Sequence, residues 1–322
     1  VILSIEKIKV MKKGKIFTNC LFIACTLMAA ISFTSCSADS DSSYSGIDES
    51  VIENADSQTE APFSVVLKAY SDNKDITVKG DVDQTTLFVF DQNGDYYTQV
   101  SLDKTYLLQA KPVEISCPGS KQITVVAWAG LSSDSENISA MSKANIISDL
   151  QVSLKQNNGV AAALPGDLFY GQITLKNTAT KAGVETLKIE RKVSSISLIT
   201  KGVIKMLDSR EGNFYYKVKK TKASFDHNGE LTGEEIEYII PATMDAKGNV
   251  VADNTAILPA SDVTIELYKD DNMILSSKNV KNSEKVSVNE GELSEITFDL
   301  SKNNCNIVVT DWGTVIQHVT IG

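Results

Sequence analysis

Short runs of β-branched and aromatic residues, separated by turn residues, recur along most of this chain. Within a run the side chains alternate, as in Val184–Glu190, where Leu187 and Ile189 are expected to face inward. Such alternation indicates half-buried strands. Strands at intervals of about 8–12 residues with turns between them are typical of β-sandwiches. The sequence therefore predicts an all-β protein with two tandem sandwich domains.

The predicted domains span residues 62–201 and 202–322, with a boundary that the pattern defines only to within several residues. Phe63–Leu67 opens the first domain as a strand. Thr86–Asp91 is apolar on both faces, as expected of a central strand in a sandwich. Apolar residues spaced along Ile138–Leu150 also fit one face of a short helix.

The N-terminal residues 1–35 have the pattern of a signal peptide. A basic head precedes Ile16–Ile31, 16 residues without charge, which is short of the roughly 20 needed to span a bilayer. Small residues then lead to Cys36, so we expect a bacterial lipoprotein, cut before Cys36 and acylated there. An ordinary signal peptide and a retained membrane helix are the alternatives. Residues 36–61 are rich in Ser, Asp and Glu and predict a flexible tether.

The charge balance disfavours nucleic acid as a partner. Residues 1–35 carry five lysines and one glutamate, so the remaining chain has a formal net charge of −14. An acidic chain repels phosphate backbones.

Two cysteines, Cys117 and Cys305, follow Cys36. They are too far apart for a C-x-x-C metal or redox motif. We expect two separate buried thiols, with an interdomain disulfide as the alternative in an oxidising compartment.

No motif in the sequence indicates catalysis, a metal or a cofactor. His227 lies in a predicted turn and His318 in the last predicted strand, and neither has neighbours typical of a triad or a zinc site. The oxygens of Asp91–Asp95 fit either a calcium ligand set or a tight hairpin turn at Asn93-Gly94. We expect the turn, and a protein that is not an enzyme.

Two further features have a structural and a functional interpretation. The basic cluster Lys217–Lys222 predicts an edge strand whose lysines discourage unwanted pairing; the alternative is a contact for an acidic partner. Trp128 and Trp312 are expected to pack in the core, because each lies in an apolar run, rather than to stack on sugars.

Several segments resemble one family in their order along the chain: Leu87–Gly94, Val125–Gly130, Asp167–Gly171, Leu187–Leu198 and Val308–Trp312. These residues are similar to the fimbrillin-associated anchor family of Bacteroidetes pili. The resemblance implies two transthyretin-like β-sandwich domains in an outer-membrane lipoprotein at the base of a pilus. It implies no catalytic residues, and it assigns a functional role to one residue of this chain, the acylated Cys36.

Stalk subunits of such pili resemble proproteins from which an arginine-specific protease removes an N-terminal strand, opening a groove for a neighbour's strand. Here the arginines are Arg191 and Arg210, both far beyond Phe63–Leu67. We therefore expect that strand to stay in place and the subunit to end a polymer. Its C-terminal segment is the expected donor strand, through Trp312, Val315, Val319 and Ile321.

The expected partners are thus other fimbrial subunits, bound by strand exchange, and outer-membrane lipid, bound through the acyl group on Cys36. The alternatives are a surface glycan-binding lipoprotein and a stalk or tip adhesin of the same pilus system. The sequence names no host ligand.

Overall fold

The structure, a computed structural model, describes residues 61–177, 183–207, 209–283 and 285–313. These residues belong to one unit, which begins at Ser57. The predicted signal peptide, Cys36 and all of the predicted tether except Ala61 lie outside the described residues. Within them, no helix has the length and apolar character needed to cross a membrane.

The described residues form twenty strands and little helix. In chain order, the first twelve strands are β1 (Phe63–Ser71), β2 (Lys74–Asp75), β3 (Gln84–Phe90), β4 (Tyr96–Asp103), β5 (Val113–Ile115), β6 (Gln122–Ala129), β7 (Glu136–Ile138), β8 (Val152–Leu154), β9 (Gln156–Asn157), β10 (Val160–Ala161), β11 (Phe169–Lys176) and β12 (Val184–Arg191). The others are β13 (Ser194–Lys201), β14 (Phe214–Phe225), β15 (Leu231–Met244), β16 (Val250–Ile257), β17 (Thr264–Lys269), β18 (Asn272–Ser276), β19 (Glu292–Asp299) and β20 (Asn304–Asp311). The α-helix is α1 (Lys104–Leu108), and 3-10 turns cover Thr77–Lys79, Ile147–Asp149, Val203–Met206 and Ser277–Asn279.

Two sheets contain these strands, and the all-β prediction is confirmed. The first sheet has the order β2-β1-β12-β11-β6-β3-β4, with β5 also paired to β1. The second has the main order β18-β17-β14-β15-β16-β13-β19-β20, and the short strands β7 to β10 join it. Most neighbours are antiparallel, but β1 runs parallel to β12 and β13 runs parallel to β19.

Strands β3 and β6 contribute to two hydrophobic cores at once. On one face, Leu87 and Val89 pack with residues of β1, β6 and β12. On the other, Phe88 and Trp128 pack with apolar residues from the second sheet. A strand buried on both faces reads as a continuous apolar run, which confirms the prediction of a central strand at 86–91.

Three hairpin turns share the same chemistry. In each, an aspartate side chain accepts hydrogen bonds from the backbone N–H groups two and four residues later, at 2.8–3.0 Å. A glycine with positive φ follows three residues after the aspartate. The turns are Asp91–Asp95, Asp226–Glu230 and Asp245–Asn249. The predicted turn at Asn93-Gly94 is therefore confirmed. In the part of the chain that the structure describes, no group of three or more His, Cys, Asp or Glu is placed to hold a metal.

The sequence missed several local features. The helix predicted over Ile138–Leu150 is wrong: β7 ends at Ile138, and the stretch contains only the 3-10 turn Ile147–Asp149. Strand β16 was not predicted. Strand β13 pairs with β16 and β19 in the second sheet, so sheet membership changes between Arg191 and Ser194. The domain boundary after residue 201 stays a prediction.

The tip of the β14–β15 hairpin packs on Tyr170, which makes Gly229 sensitive to substitution. Gly229 has φ +72°, and a Cβ there would lie 2.4 Å from the Tyr170 ring. The Tyr170 hydroxyl donates to the His227 carbonyl at 2.9 Å. We expect Gly229→Ala to destabilise the protein by about 2–4 kcal/mol, because backbone strain and steric overlap act together.

Gly119→Ala is the matched control. Gly119 has φ +83°, but an added Cβ there meets no described atom within 4 Å. Urea unfolding should show a loss of only about 1–2 kcal/mol, the cost of the backbone conformation alone. Equal losses for the two variants would contradict the proposed packing of the hairpin tip.

Candidate functional site

A cleft of about 720 Å³ lies where the C-terminal ends of β1, β12 and β20 meet. We call it the arginine cleft. Its lining residues are Ser71, Asp72, Lys74, Ile76, Lys79, Asp81, Asp167, Arg191, Asp311, Trp312 and Gly313. They come from both sheets, so the cleft joins the N-terminal strand region to the end of the last described strand.

Arg191 is the centre of the arginine cleft. Its side chain is only 2% exposed. Nε and Nη2 donate to the two carboxylate oxygens of Asp167 at 2.6 and 2.8 Å, and Nη1 donates to the Ser71 hydroxyl at 2.7 Å. The two-pronged pairing matches the planar guanidinium to the carboxylate. A second carboxylate, Asp81, lies 3.8 Å from Nη2. The buried charge of Arg191 is therefore neutralised within the same chain.

Aromatic rings complete the surroundings of the guanidinium. The Arg191 Cζ lies 4.8 Å from the ring centre of Phe169 and 4.5 Å from that of Trp312. Cations this close to an aromatic face are attracted by its electron density. The Trp312 backbone N–H also donates to the Gly291 carbonyl at 3.1 Å. Trp312 is therefore held through both its ring and its backbone.

An exposed ion pair lies at the rim of the arginine cleft. The Lys74 ammonium bonds to the Asp311 carboxylate, and Asp72 lies 3.8 Å from the same ammonium. The bond to Lys74 lowers the pKa of Asp311, and the bond to Asp311 raises the pKa of Lys74. Because the pKa of Asp311 is lowered, the stabilisation is present above its ordinary pKa and is lost as pH falls through the lowered value.

Of the five predicted site residues, Trp312 alone lies in the part of the chain that the structure describes. Trp312 lies in the arginine cleft, half-buried against Arg191. Cys36, Val315, Val319 and Ile321 lie outside the described residues. The other predicted donor-strand contacts and the lipidation site therefore stay predictions.

Several residues predicted to be structural are confirmed as such. Trp128 is fully buried between Tyr170 and Phe225. Cys117 and Cys305 are separate, buried, free thiols, and burial raises the pKa of Cys305 to about 11. His227 lies in a turn as expected, and His318 lies beyond the described residues.

The prediction that Lys217–Lys222 forms an edge strand is wrong. These residues belong to the interior strand β14: Lys217 and Val218 pair with β15 on one side and with β17 on the other, and Thr221 and Lys222 pair with β15. Carboxylates of the same chain pair with the lysines, at 2.9 Å for Lys217–Glu237, 2.7 Å for Lys219–Glu266 and 2.7 Å for Lys220–Asp262. Cross-strand charge pairing, which the sequence run alone does not display, makes an interior position favourable for the cluster.

Sequence reasoning noted Arg191 but missed its role in the cleft. The signal was present, because residue 191 is in phase with the inward-facing Leu187 and Ile189 of the same strand. A charged side chain is rarely buried unless it is paired. The phase therefore predicts an inward arginine with a carboxylate partner, but not which carboxylate.

Two solved structures of bacterial proteins share this fold. A crystal structure from Bacteroides thetaiotaomicron has a TM-score of 0.62 at 19% identity and covers 80% of this chain and 99% of its own. The fimbrial anchor protein Mfa2 from Porphyromonas gingivalis has a TM-score of 0.57 at 16% identity and covers 78% and 98%. At this identity the likeness establishes the fold alone, a tandem β-sandwich.

The sequence comparisons define the family. The profile described as "Fimbrillin-A associated anchor proteins Mfa1 and Mfa2" matches residues 55–318, and the chain belongs to this family. The chain is also 26% identical over 270 residues to the major fimbrium anchoring subunit FimB of Porphyromonas gingivalis, covering 80% of this chain and 87% of that protein. The resemblance inferred from the sequence is confirmed.

Removing Arg191 should destabilise the protein strongly. Arg191→Met leaves Asp167, a carboxylate with a 32% exposed side chain, without its partner. Breaking a buried ion pair from one side costs about 3–5 kcal/mol, and the partial exposure of Asp167 favours the lower end. Urea unfolding measures the loss, and Arg191→Met with Asp167→Asn should recover part of it.

Arg210→Met is the control. Within the described residues, Arg210 lies on an exposed loop and donates hydrogen bonds to the carbonyls of Asp245 and Ala246 at 3.1–3.2 Å. Its loss should change the free energy of unfolding by no more than about 0.5 kcal/mol. Similar effects of the two arginine substitutions would show that the buried pairing is not the stabilising contact.

Proposed function

We propose that this protein attaches a pilus to the outer membrane and ends its elongation. In this proposal the acyl group on Cys36 holds the protein at the membrane, and the C-terminal segment binds the next fimbrial subunit. Membership of the anchor family supports the proposal, as does the likeness to a protein named a fimbrium anchoring subunit.

The observation that carries the proposal is the position of β1. Its residues Ser64 to Tyr70 pair in parallel with β12, and its first residues also pair with β5. The inward side chains of Phe63, Val65 and Leu67 are at most 3% exposed. The place beside β12 is therefore filled by the chain's own strand, and a neighbour's strand has no vacancy there.

The arginine positions support retention of β1. No arginine lies between Cys36 and Glu190, so an arginine-specific protease has no site ahead of this strand. Arg191, the last residue of β12, is buried and bonds to Asp167 and to Ser71. A subunit that keeps β1 offers no groove beside β12, and it therefore ends a polymer rather than extending it.

The C-terminal segment is the proposed donor. Trp312 and Gly313 follow edge strand β20 and form a turn at the arginine cleft. Val315, Val319 and Ile321 then alternate with other residues, as in a strand whose side chains fill successive pockets of a partner. Strand addition of this kind gains affinity from main-chain hydrogen bonds and specificity from such pockets.

Deleting Thr314–Gly322 and replacing Cys36 by Ala should release pili by different routes. The deletion should shed pili into the medium while the anchor stays in the outer-membrane fraction, because only the subunit contact is lost. Cys36→Ala should release the anchor together with the pili. Cell fractionation with immunoblotting distinguishes the outcomes.

Triple substitution of Val315, Val319 and Ile321 by Ser is a finer version of the deletion. It keeps the length and the backbone donors and removes the apolar side chains, so it should also shed pili. Pili that stay attached after both changes would refute the donor assignment. Pili that stay attached with Cys36→Ala would refute the lipid anchor.

A further inference from the structure

The β1–β2 hairpin contacts the last residues that the structure describes. Ser71, at the end of β1, bonds to Arg191 at 2.7 Å and lies 3.5 Å from the Gly291 carbonyl. Lys74, in β2, bonds to Asp311. The same Gly291 carbonyl accepts the Trp312 backbone N–H. We call Asp311–Gly313 the C-terminal root.

We propose that the β1–β2 hairpin, acting through Arg191, holds the C-terminal root in place and sets the direction in which the donor segment leaves the protein. This inference rests on the proposed function for its biological meaning, but the contacts themselves do not. Ser71, Lys74 and Arg191 are positioning residues in this account. The N-terminal strand then has two roles: it fills its own site and it orients the opposite end of the chain.

The contacts differ in strength. Lys74 and Asp311 have 61% and 54% exposed side chains, and exposed pairs of this kind contribute little to stability and are screened by salt. The Arg191 guanidinium is desolvated, so its attraction to the Trp312 ring is stronger than at a surface. The buried contact therefore fixes the ring, and the rim pair restrains the adjacent backbone.

The geometry also couples the two ends of the chain. Gly291 lies between them: a Cβ there would come 3.0 Å from the Asp72 backbone nitrogen and 3.3 Å from the Ser71 hydroxyl. The N-terminal hairpin thus packs on the loop that bonds to Trp312. A fimbrial subunit that lacked β1 would lack Ser71, the bond that Ser71 makes to Arg191, and this packing. Its C-terminal root would not be held in the same direction.

The partner that this arrangement fits is a subunit with an empty strand position. Such a partner needs a segment presented in one orientation, because a strand that enters in the wrong register turns its side chains to the wrong face. Ordering the root before binding also reduces the entropy lost on association. The expected partner is therefore a fimbrial subunit whose own N-terminal strand has been removed.

Fluorine NMR of the fluorotryptophan-labelled full-length chain tests the inference. The protein has two tryptophans, so Trp312 reports on the root and Trp128 on the core, with Trp312→Phe supplying the assignment. Ser71→Ala, Lys74→Ala and Lys74→Asp should each shift the Trp312 resonance towards that of solvent-exposed tryptophan. They should also increase its broadening by a soluble nitroxide. The Trp128 resonance should stay in place.

Lys68→Ala is the matched control, because Lys68 pairs with Asp75 on the same hairpin at 3.7 Å with similar exposure and does not line the cleft. It should leave the Trp312 resonance unchanged. Lys74→Asp combined with Asp311→Lys should restore the resonance, and high salt should shift it in the parent protein but not in Lys74→Ala. The inference is wrong if the Ser71 and Lys74 substitutions leave the Trp312 signal where it is.

This experiment is independent of pilus attachment. If the Trp312 signal responds but deletion of Thr314–Gly322 leaves pili attached, the coupling stands and the donor assignment fails. If the deletion sheds pili but the signal does not respond, the donor assignment stands and the hairpin does not orient the root.

Discussion

The parallel pairing of β1 with β12 is the contact on which the rest of the structure depends. Parallel neighbours cannot be joined by a tight turn, and the chain between β1 and β12 contains the other strands of the first sheet. Each large apolar side chain that β1 buries contributes about 1.5–3 kcal/mol. The strand is therefore part of the core of the first sheet rather than an accessory to it.

Arg191 connects this pairing to the opposite end of the chain. The residue ends β12, bonds to the end of β1 through Ser71, and packs on Trp312 just after β20. A buried guanidinium is stable only when paired, and Asp167 supplies the carboxylate. The buried Arg191 guanidinium therefore contacts both the end of β1 and the residue that follows β20. The same burial keeps Arg191 away from a protease.

Most strands were predictable because a strand that is buried on one face alternates apolar and polar residues along the sequence. Val184–Glu190 is the clearest example, and Thr86–Asp91 shows the different pattern of burial on both faces. The change of sheet between β12 and β13 was harder to predict because only two residues, Lys192 and Val193, separate these strands. No composition shift marks so short a connection.

The errors also have physical causes. Ile138–Leu150 has helical spacing, but Leu150 packs in the core while Ile146 is 46% exposed, so these residues do not form one buried helical face. The lysines of β14 suggested an edge because their carboxylate partners lie on β15 and β17 and in the loop before β17, at positions that only the strand register brings together. For the arginine cleft, the phase of β12 contains the signal that Arg191 faces inward, although it was not used to predict the site. Its partners Asp167, Ser71 and Trp312 depend on tertiary contacts, and no local pattern contains them.

The account depends most on β1 remaining part of the mature protein. Mass spectrometry of the protein isolated from outer membranes tests this directly, because one spectrum gives both the first residue and its modification. The account predicts a chain that begins at acylated Cys36 and includes Phe63–Ser71. A mature chain that begins beyond Ser71, or one without lipid, would contradict it.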